Sequence, residues 1–353
     1  MRPVTEFLDS AVAAGAAPGA VLGVSSARVR FIYGTGQLGA DQPGRPEEGT
    51  VYDLASLTKV VGMVPAAMLA VDEGRLDLDA PVQQYLPAFT GGEKSRVTAR
   101  MLLAHTGGLP AWRPLFREVH SRAEAFALAD TTPLESFPGS TAAYSDLGAI
   151  ILTQILETLY HERLDSLLER RLFGPLGMGS TGYLPSAELR DRIAPTELDP
   201  WRGRVLQGEV HDENAAIMDG VSGHAGLFSS AGDLLTYGEW LIDEWYGAAS
   251  ALPQVRRSTL REFTRRENLV PGSSRALGWD TPSGEGSAGH LLSETSFGHT
   301  GFTGTSLWID PTRRLVIVLL SDRVNPTRSN PRWSPVRGAI ADLVITTLFK
   351  DAR

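Results

Sequence analysis

The sequence predicts an α+β fold in which one antiparallel sheet, built from both ends of the chain and flanked by helices, carries an inserted, mainly helical lobe. Runs rich in β-branched and aromatic residues, with glycines between them, lie at 20–39 and at 304–321 and are typical of strands. The middle of the chain has apolar residues at mostly helical spacing. Strands at both ends around a helical middle favour a single sheet assembled from segments that are distant in sequence.

We predict one domain over residues 1–353, divided into two lobes. The α/β lobe comprises about 1–55 plus 255–353, and the helical lobe comprises about 56–254. The chain has 353 residues, of which 42% are hydrophobic. This is the composition of an ordinary globular protein that is large enough for such an organisation.

The predicted elements near the N-terminus are a helix and a hairpin. Apolar residues recur at helical spacing from Val4 to Val12, and Gly15 and Pro18 end the pattern. The segment 20–39 then supplies two strands that a turn connects.

The middle of the chain predicts buried helices. Nearly every position from Leu57 to Val71 is apolar, and Gly74 is a natural end for this helix. A second run of the same kind spans Leu147 to Leu159.

Two strands and a helix are predicted near the C-terminus. The runs 304–310 and 314–321 flank the turn sequence Asp310-Pro311-Thr312-Arg313. The last helix is predicted from about Pro335 to Phe349, with a proline in its first turn.

Lys59 stands out because lysine is rare in this chain, where Lys59, Lys94 and Lys350 are the only lysines among 33 basic residues. Arginine keeps its proton in proteins, whereas a buried lysine can act as a general base. Ser56 lies three residues before Lys59, on the same face of a helix that starts near Ser56. We expect burial to lower the pKa of Lys59 toward a neutral amine that can activate the serine. The structural alternative is a serine that caps the helix and a lysine that extends to solvent.

Three segments, 51–59, 76–82 and 102–110, resemble the serine β-lactamase and penicillin-binding-protein superfamily. They are most similar to class C β-lactamases and their esterase and D-aminopeptidase relatives. The resemblance implies a β-lactamase/transpeptidase-like fold and an acyl-enzyme on Ser56, with Lys59 as its catalytic partner.

The second motif of that superfamily is Tyr-x-Asn, which Tyr144-Ser145-Asp146 resembles. The resemblance implies that Tyr144 shares a proton network with Lys59 and Ser56, and that Asp146 occupies a substrate-binding position. Asp146 departs from the motif, since an aspartate replaces the asparagine. The structural alternative is that Tyr144 is a core aromatic and that Ser145 or Asp146 caps the next helix.

The third motif is usually Lys-Thr-Gly, and His299-Thr300-Gly301 stands in its place. The resemblance implies that His299, Thr300 and Gly301 bind substrate along a strand edge. It also implies that the backbone N–H groups of Ser56 and Phe302 form the oxyanion hole. The alternative for His299 is an ordinary, partly exposed histidine.

The two departures from the motifs affect the expected activity. An anionic Asp146 cannot donate a hydrogen bond to a carbonyl, and a histidine of ordinary pKa is mostly neutral at pH 7 and attracts a carboxylate weakly. We therefore expect a carboxylesterase, a D-amino-acid peptidase whose substrate carries a cation near Asp146, or a weak β-lactamase. The alternative from another class is a non-catalytic module that binds penicillin or peptidoglycan fragments.

Other hydrolase chemistries find less support. No Gly-x-Ser-x-Gly elbow and no His-Glu-x-x-His motif occur, and His211-Asp212-Glu213 is predicted to be a loop turn. We expect neither a metal nor a cofactor, and a small ester, amide or β-lactam as the substrate.

Charge and composition limit the partners. The net charge of −8 argues against nucleic acid, and no apolar run approaches the about 18 residues that a membrane span needs. The chain has no cysteine, which leaves the compartment open. Its N-terminus lacks the apolar region of an export signal, so we predict a cytoplasmic location. The oligomeric state stays open.

Overall fold

The structure is a computed structural model that describes residues 1–248, 255–284 and 286–349. Lys350 and residue 254, the predicted end of the helical lobe, lie outside the described residues. The boundaries of the two lobes stay a prediction.

The described residues form ten strands, which make up three sheets. The strands are β1 Gly19–Ser26, β2 Val29–Gly36, β3 Val51–Asp53, β4 Gly182–Tyr183, β5 Leu198–Asp199, β6 Arg204–Val205, β7 Leu227–Ser230, β8 Phe297–Thr300, β9 Ser306–Asp310 and β10 Leu315–Ser321.

The largest sheet has five strands in the order β2-β1-β10-β9-β8, and every neighbouring pair is antiparallel. Strands β1 and β10 come from opposite ends of the chain and pair with Val21 opposite Leu320. The prediction of one antiparallel sheet built from both ends is therefore confirmed, as are the N-terminal hairpin and the turn at Pro311–Arg313.

The described residues also form twelve α-helices, five short 3-10 turns and two π-helical turns. The α-helices are α1 Arg2–Ala13, α2 Val64–Asp72, α3 Ala99–Leu103, α4 Leu115–Glu118, α5 Arg122–Thr131, α6 Asp146–Tyr160, α7 Leu164–Leu168, α8 Gly174–Leu176, α9 Glu213–Ile217, α10 Ala231–Tyr246, α11 Arg257–Thr264 and α12 Ser334–Leu348. The 3-10 turns are Val82–Gln84, Gly92–Arg96, Ala187–Arg192, Gly286–Ala288 and Pro311–Arg313, and the π-helical turns are Lys59–Met63 and Glu169–Phe173.

The five-stranded sheet is covered on both faces, because successive side chains of a strand point to opposite sides. Leu22 and Leu319 belong to a core shared with α1 and α12. Val21 and Leu320 belong to the larger core, which includes the buried residues of α2, α6 and α10. The sheet therefore separates the two terminal helices from the helical part of the molecule.

The predicted helix from Leu57 to Val71 is present, with one irregularity. The chain is helical from Leu57, passes through the π-helical turn Lys59–Met63, and continues as α2 to Asp72. Gly74 follows with a φ of +67°, as expected for a glycine that ends a helix. Single π-helical turns are often found at functional sites, and this one begins at Lys59.

Among the described residues, no helix is both long enough and apolar enough to cross a membrane.

Candidate active site

Ser56 lies in the sharp connection between strand β3 and the buried helix. Ala55 has a φ of +46°, a left-handed conformation that is uncommon for residues other than glycine. The buried carboxylate of Asp53 accepts hydrogen bonds from the N–H of Ala55 at 2.8 Å and from the N–H of His211 at 2.6 Å. These bonds hold the turn, and strained residues of this kind cluster at functional sites.

Lys59 is fully buried and is surrounded by three acceptors. Its Nζ lies 3.2 Å from Ser56 Oγ, 2.7 Å from Asp146 Oδ1 and 3.1 Å from the carbonyl oxygen of His224. A protonated lysine has three donors, so each of its protons has a partner. The Ser-x-x-Lys spacing has therefore brought the two side chains together, as the sequence predicted.

The protonation of Lys59 differs from the expectation. Burial alone would lower its pKa, but the charge of Asp146 and the nearby Tyr144 outweigh burial and raise the pKa above the ordinary value for lysine. The prediction of a neutral amine was wrong, because Asp146 forms an ion pair with Lys59. In the resting site, Lys59 is an ammonium ion.

Tyr144 lies beside Lys59, with the Lys59 Nζ 4.9 Å from the centre of its ring. Its hydroxyl is buried and makes no hydrogen bond of normal geometry with the described residues. Burial raises the pKa of Tyr144, while the charge on Lys59 opposes the rise without reversing it. The phenol is therefore protonated in the resting site.

Two buried histidines flank the ring of Tyr144, at centroid distances of 4.6 Å for His105 and 5.7 Å for His299. Burial and the positive charge of Arg275 hold the pKa of both histidines well below the ordinary value, so both are neutral. His299 Nδ1 donates to the carbonyl oxygen of Thr300 at 2.7 Å, which leaves the Nε2 atom as an acceptor. The alternative of a partly exposed His299 is wrong, since its side chain is buried.

His105 was missed as a site residue, although it stands in the segment 102–110 that carries part of the resemblance. Its Nδ1 accepts a hydrogen bond of 3.1 Å from the backbone N–H of Ser145. The Ser145 hydroxyl in turn accepts from the N–H of Gly148 and caps helix α6. The predicted cap is therefore real, and the cap also fixes Tyr144 and Asp146 on either side of Ser145.

A second loop, 301–305, joins β8 to β9 and lies against the Ser56 turn. Thr303 Oγ1 donates to the carbonyl oxygen of Asp53 at 2.7 Å, and Thr305 Oγ1 donates to that of Leu54 at 3.0 Å. A Cβ atom on Gly301 would lie 2.3 Å from the Leu54 oxygen, so only glycine fits at this position. The two threonines thus hold the loop close to the nucleophile turn.

Two arginines fix the backbone of this loop. Arg337 Nη2 donates to the carbonyl oxygen of Gly301 at 2.6 Å, and Arg323 Nε donates to that of Phe302 at 2.8 Å. In a trans peptide the C=O and N–H point in opposite directions, so the bond to Gly301 sets the direction of the Phe302 N–H. Within the described chain, neither this N–H nor that of Ser56 has a hydrogen-bond partner.

Ser56 opens into two adjoining clefts. The first, named here the arginine cleft, has a volume of about 320 Å³ and is lined by Arg275, Arg323 and Arg337, with Asp280 as its acidic residue. Arg275 lies 3.8 Å from the Asp280 carboxylate, which is too far for a good hydrogen bond. The sequence did not identify these arginines. Of the predicted substrate-binding residues, His299, Thr300 and Gly301 line this cleft.

The second cleft, named here the acidic cleft, has a volume of about 310 Å³ and contains Asp146. Its acidic residues are all paired: Asp146 with Lys59 at 2.7 Å, Asp212 with His224 at 2.9 Å, and Glu213 with Arg328 at 2.9 Å. The Asp212 carboxylate also accepts from the N–H of Ala215 and caps helix α9. The predicted loop turn at His211-Asp212-Glu213 is therefore the start of a helix, and all three residues line the cleft. Each of these carboxylates therefore has a close partner, and the contacts with Lys59 and Arg328 are ion pairs.

The arrangement can support nucleophilic catalysis. It combines a hydroxyl within reach of an amine and a phenol, two free backbone donors on neighbouring loops, and two clefts of different character. Among the described residues, no group of three or more acidic or histidine side chains is placed to hold a metal ion.

A family model described as Beta-lactamase matches residues 4–342. The chain is 32% identical over 342 residues to a protein of Escherichia coli (strain K12) named "Putative D-alanyl-D-alanine carboxypeptidase", and the match covers 87% of this chain and 77% of that protein. Two solved structures share the fold, which confirms the predicted β-lactamase/transpeptidase-like architecture.

One of them is the octameric penicillin-binding protein homologue from Pyrococcus abyssi, with a TM-score of 0.78 at 20% identity over 99% of this chain and 77% of the other. The second is the β-lactamase/D-alanine carboxypeptidase from Yersinia pestis in complex with citrate, with a TM-score of 0.74 at 19% identity. That match covers 97% of this chain and 98% of the Yersinia chain.

Proposed function

The chain belongs to the beta-lactamase family and is a serine hydrolase, and on this premise we propose that it cleaves a small ester or amide through an acyl-enzyme formed on Ser56. The observation that carries the proposal is the contact of Lys59 with Ser56, Asp146 and the His224 carbonyl, next to Tyr144. This arrangement supplies a nucleophile together with Lys59 and Tyr144, either of which can accept its proton after losing its own.

The first step needs a base, and the resting site does not hold a free one. Lys59 and Tyr144 are both protonated at neutral pH, so the pair must lose one proton to solvent before it can activate Ser56. A neutral Lys59 could still donate to Asp146 and to the His224 carbonyl, while its lone pair accepts the Ser56 proton. A Tyr144 phenolate, stabilised by the Lys59 ammonium, is the other possible base.

The deprotonated Ser56 Oγ then attacks the carbonyl carbon of the substrate. The resulting oxyanion accepts hydrogen bonds from the backbone N–H groups of Ser56 and Phe302. The proton taken from Ser56 passes to the leaving group, which departs and leaves an ester on Ser56. Water, activated by the same base, hydrolyses this ester and restores the serine.

The arginine cleft suggests which substrates are preferred. Arg275 has only a long ion pair of 3.8 Å with Asp280, and it lines the same cleft as His299, Thr300 and Gly301. We assign it to a carboxylate on the leaving-group side of the substrate. This preference favours a carboxypeptidase-like activity, or hydrolysis of an ester with an anionic leaving group, over a neutral carboxylesterase.

The acyl part of the substrate is assigned to the acidic cleft, beside Asp146. Because the Asp146 charge is shared with Lys59, the preference for a cationic acyl group is expected to be weak. Comparable rates for matched substrates with and without an amine near the scissile bond would agree with this.

Mass spectrometry after treatment with a fluorophosphonate tests the nucleophile. We expect one adduct, on Ser56, and turnover of p-nitrophenyl acetate that Ser56→Ala abolishes. Ser186→Ala, at an exposed serine away from both clefts, should leave labelling and turnover intact. Labelling at another residue, or turnover that survives Ser56→Ala, would contradict the proposal.

A second comparison tests the substrate class. An N-acyl-D-alanyl-D-alanine should be cleaved faster than the same peptide with its terminal carboxylate amidated, and nitrocefin should be a poor substrate. Equal rates for the free and the amidated peptide would remove the carboxypeptidase-like assignment while leaving the hydrolase intact.

A further inference from the structure

Large aromatic side chains are left exposed around the acidic cleft. Trp112 and Phe302 line this cleft together with Ser56, and their exposed fractions are 50% and 49%. Trp201, 45% exposed, extends the surface through Phe116, whose ring lies 6.5 Å from Trp112 and 5.1 Å from Trp201. Contiguous exposed apolar surface on a globular protein often marks a binding site.

The backbone on either side of Trp112 is held in place by hydrogen bonds to helices α6 and α9. The carbonyl oxygen of Ala111 accepts a hydrogen bond of 3.0 Å from the N–H of Asp146, at the start of helix α6. The carbonyl oxygen of Arg113 accepts one of 2.8 Å from Asn214, a side chain that is only 1% exposed. The backbone at Trp112 is thus fixed, because both of its neighbours are bonded to helices that carry site residues.

Phe302 also lines the acidic cleft and has close neighbours of its own. Its ring stacks on His211 at a centroid distance of 5.8 Å. The guanidinium of Arg323 lies 4.5 Å from the centre of the same ring. Its carbonyl oxygen is bonded to the same arginine. A ring entering the cleft would therefore meet two aromatic side chains whose backbone is already fixed, which reduces the entropy lost on binding.

The contacts of the charged residues in the acidic cleft indicate which kind of ligand it can bind. The carboxylates of Asp146, Asp212 and Glu213 already have cationic or histidine partners at 2.7 to 2.9 Å. A cationic ligand would have to compete with these existing partners, whereas a neutral ring would bury apolar surface against Trp112 and Phe302. Anionic groups are instead drawn to the arginine cleft on the other side of Ser56.

We infer that Trp112 and Phe302 form a clamp for a neutral, ring-bearing acyl group of the substrate. The inference rests on the proposed function, which assigns the acyl part to the acidic cleft. The preferred substrate then has an aromatic or other apolar ring on its acyl side and a carboxylate on its leaving side.

The test compares two esters with the same p-nitrophenyl leaving group, one acetyl and one phenylacetyl. In the wild-type protein we expect kcat/KM to be roughly tenfold higher for the phenylacetyl ester, given the usual strength of aromatic contacts. Trp112→Ala should remove most of this ratio, and Trp112→Phe should retain most of it. Phe137→Ala, at an aromatic residue with 53% exposure in another part of the surface, should leave the ratio unchanged.

The outcomes separate the clamp from the proposed function. If fluorophosphonate labels Ser56 and both esters are cleaved with a ratio near one that Trp112→Ala does not change, the clamp is wrong and the hydrolase stands. If no ester is cleaved and Ser56 is not labelled, the proposed function has failed. If Trp112→Ala breaks up an oligomer seen by analytical ultracentrifugation and leaves the ratio unchanged, the aromatic surface serves a second copy of the chain, which overturns the clamp.

Discussion

Arg337 donates a hydrogen bond of 2.6 Å to the carbonyl oxygen of Gly301, the residue before the proposed oxyanion donor Phe302. Burial, with the repulsion of Arg323, lowers the pKa of Arg337 to about 10, so the guanidinium stays charged at neutral pH. This partly buried cation, bonded to the Gly301 carbonyl, fixes the plane of the peptide and thereby the direction of the Phe302 N–H. The position of the donor depends on a side chain from the last helix.

Replacement of Arg337 by methionine should impair catalysis more than binding. Loss of a single oxyanion donor typically costs about 100- to 1000-fold in kcat, and a misdirected donor should cost about 10- to 100-fold. Arg337→Lys should recover part of kcat, since it can still donate to Gly301. Steady-state kinetics with p-nitrophenyl acetate, with thermal melts to exclude unfolding, provide the measurement, and a change confined to KM would show that Arg337 contacts the substrate instead.

Asp146→Asn should shift the pH dependence of the reaction. Asp146 raises the pKa of Lys59, so its removal lowers that pKa and moves the rising limb of kcat/KM to lower pH. The stabilising effect of the ion pair is present below the pKa of a free lysine and is lost as the pH rises through the higher folded value, so the variant should also melt earlier at pH 7. The control is Asp191→Asn at an exposed site. If the rising limb of kcat/KM against pH does not move, that limb reports a group other than Lys59.

Arg275→Gln should raise KM for substrates with a carboxylate on the leaving group. A hydrogen bond to a charged group contributes about 1.5–3 kcal/mol, so the increase should be about 10- to 100-fold. Neutral esters should be affected much less. Arg257→Gln, at an exposed position of helix α11, is the matched control. Equal losses for neutral and anionic substrates would argue that Arg275 supports the site rather than binding the carboxylate.

Gly301→Ala should destabilise the protein and inactivate it. The new Cβ would lie 2.1 Å from Thr305 Oγ1 and 2.3 Å from the Leu54 carbonyl oxygen, and the latter belongs to the backbone and cannot rotate away. Overpacking of this kind costs about 1–3 kcal/mol, which denaturant unfolding can measure. Gly182→Ala, in strand β4 with open space around it, should be nearly neutral. Normal activity of Gly301→Ala would contradict the close approach of the two loops.

The sequence predicted the parts of the site that its motifs contain. Ser56, Lys59 and Tyr144 were expected together and lie together, because local helix geometry and the resemblance agreed on their placement. The sign of the Lys59 pKa shift was not predictable in this way. It depends on a contact with Asp146, a residue 87 positions further along the chain, and sequence spacing does not fix such a distance.

Arg275 and Arg337 could not be identified for a related reason. Each contributes through a single side chain from a helix or loop that has no motif of its own, and the chain contains many other arginines. The fold was easier to predict from the sequence. Strands β1 and β10 each have a clear apolar pattern, and the helical middle of the chain separates them, which favours one sheet built from both ends. The sequence therefore predicted the topology of the sheet, but it did not predict the charged contacts of the site.

Strand β10 lies between β1 and β9, and this order has a consequence for biosynthesis. The ribosome releases β1 and Ser56 long before β10 and the loop 301–305, so for most of translation β1 offers one open edge to other chains. The nucleophile is also synthesised early, whereas the loop with the second proposed oxyanion donor is synthesised near the end of translation. Interrupted synthesis would therefore leave a fragment that is prone to aggregate and unable to hydrolyse anything.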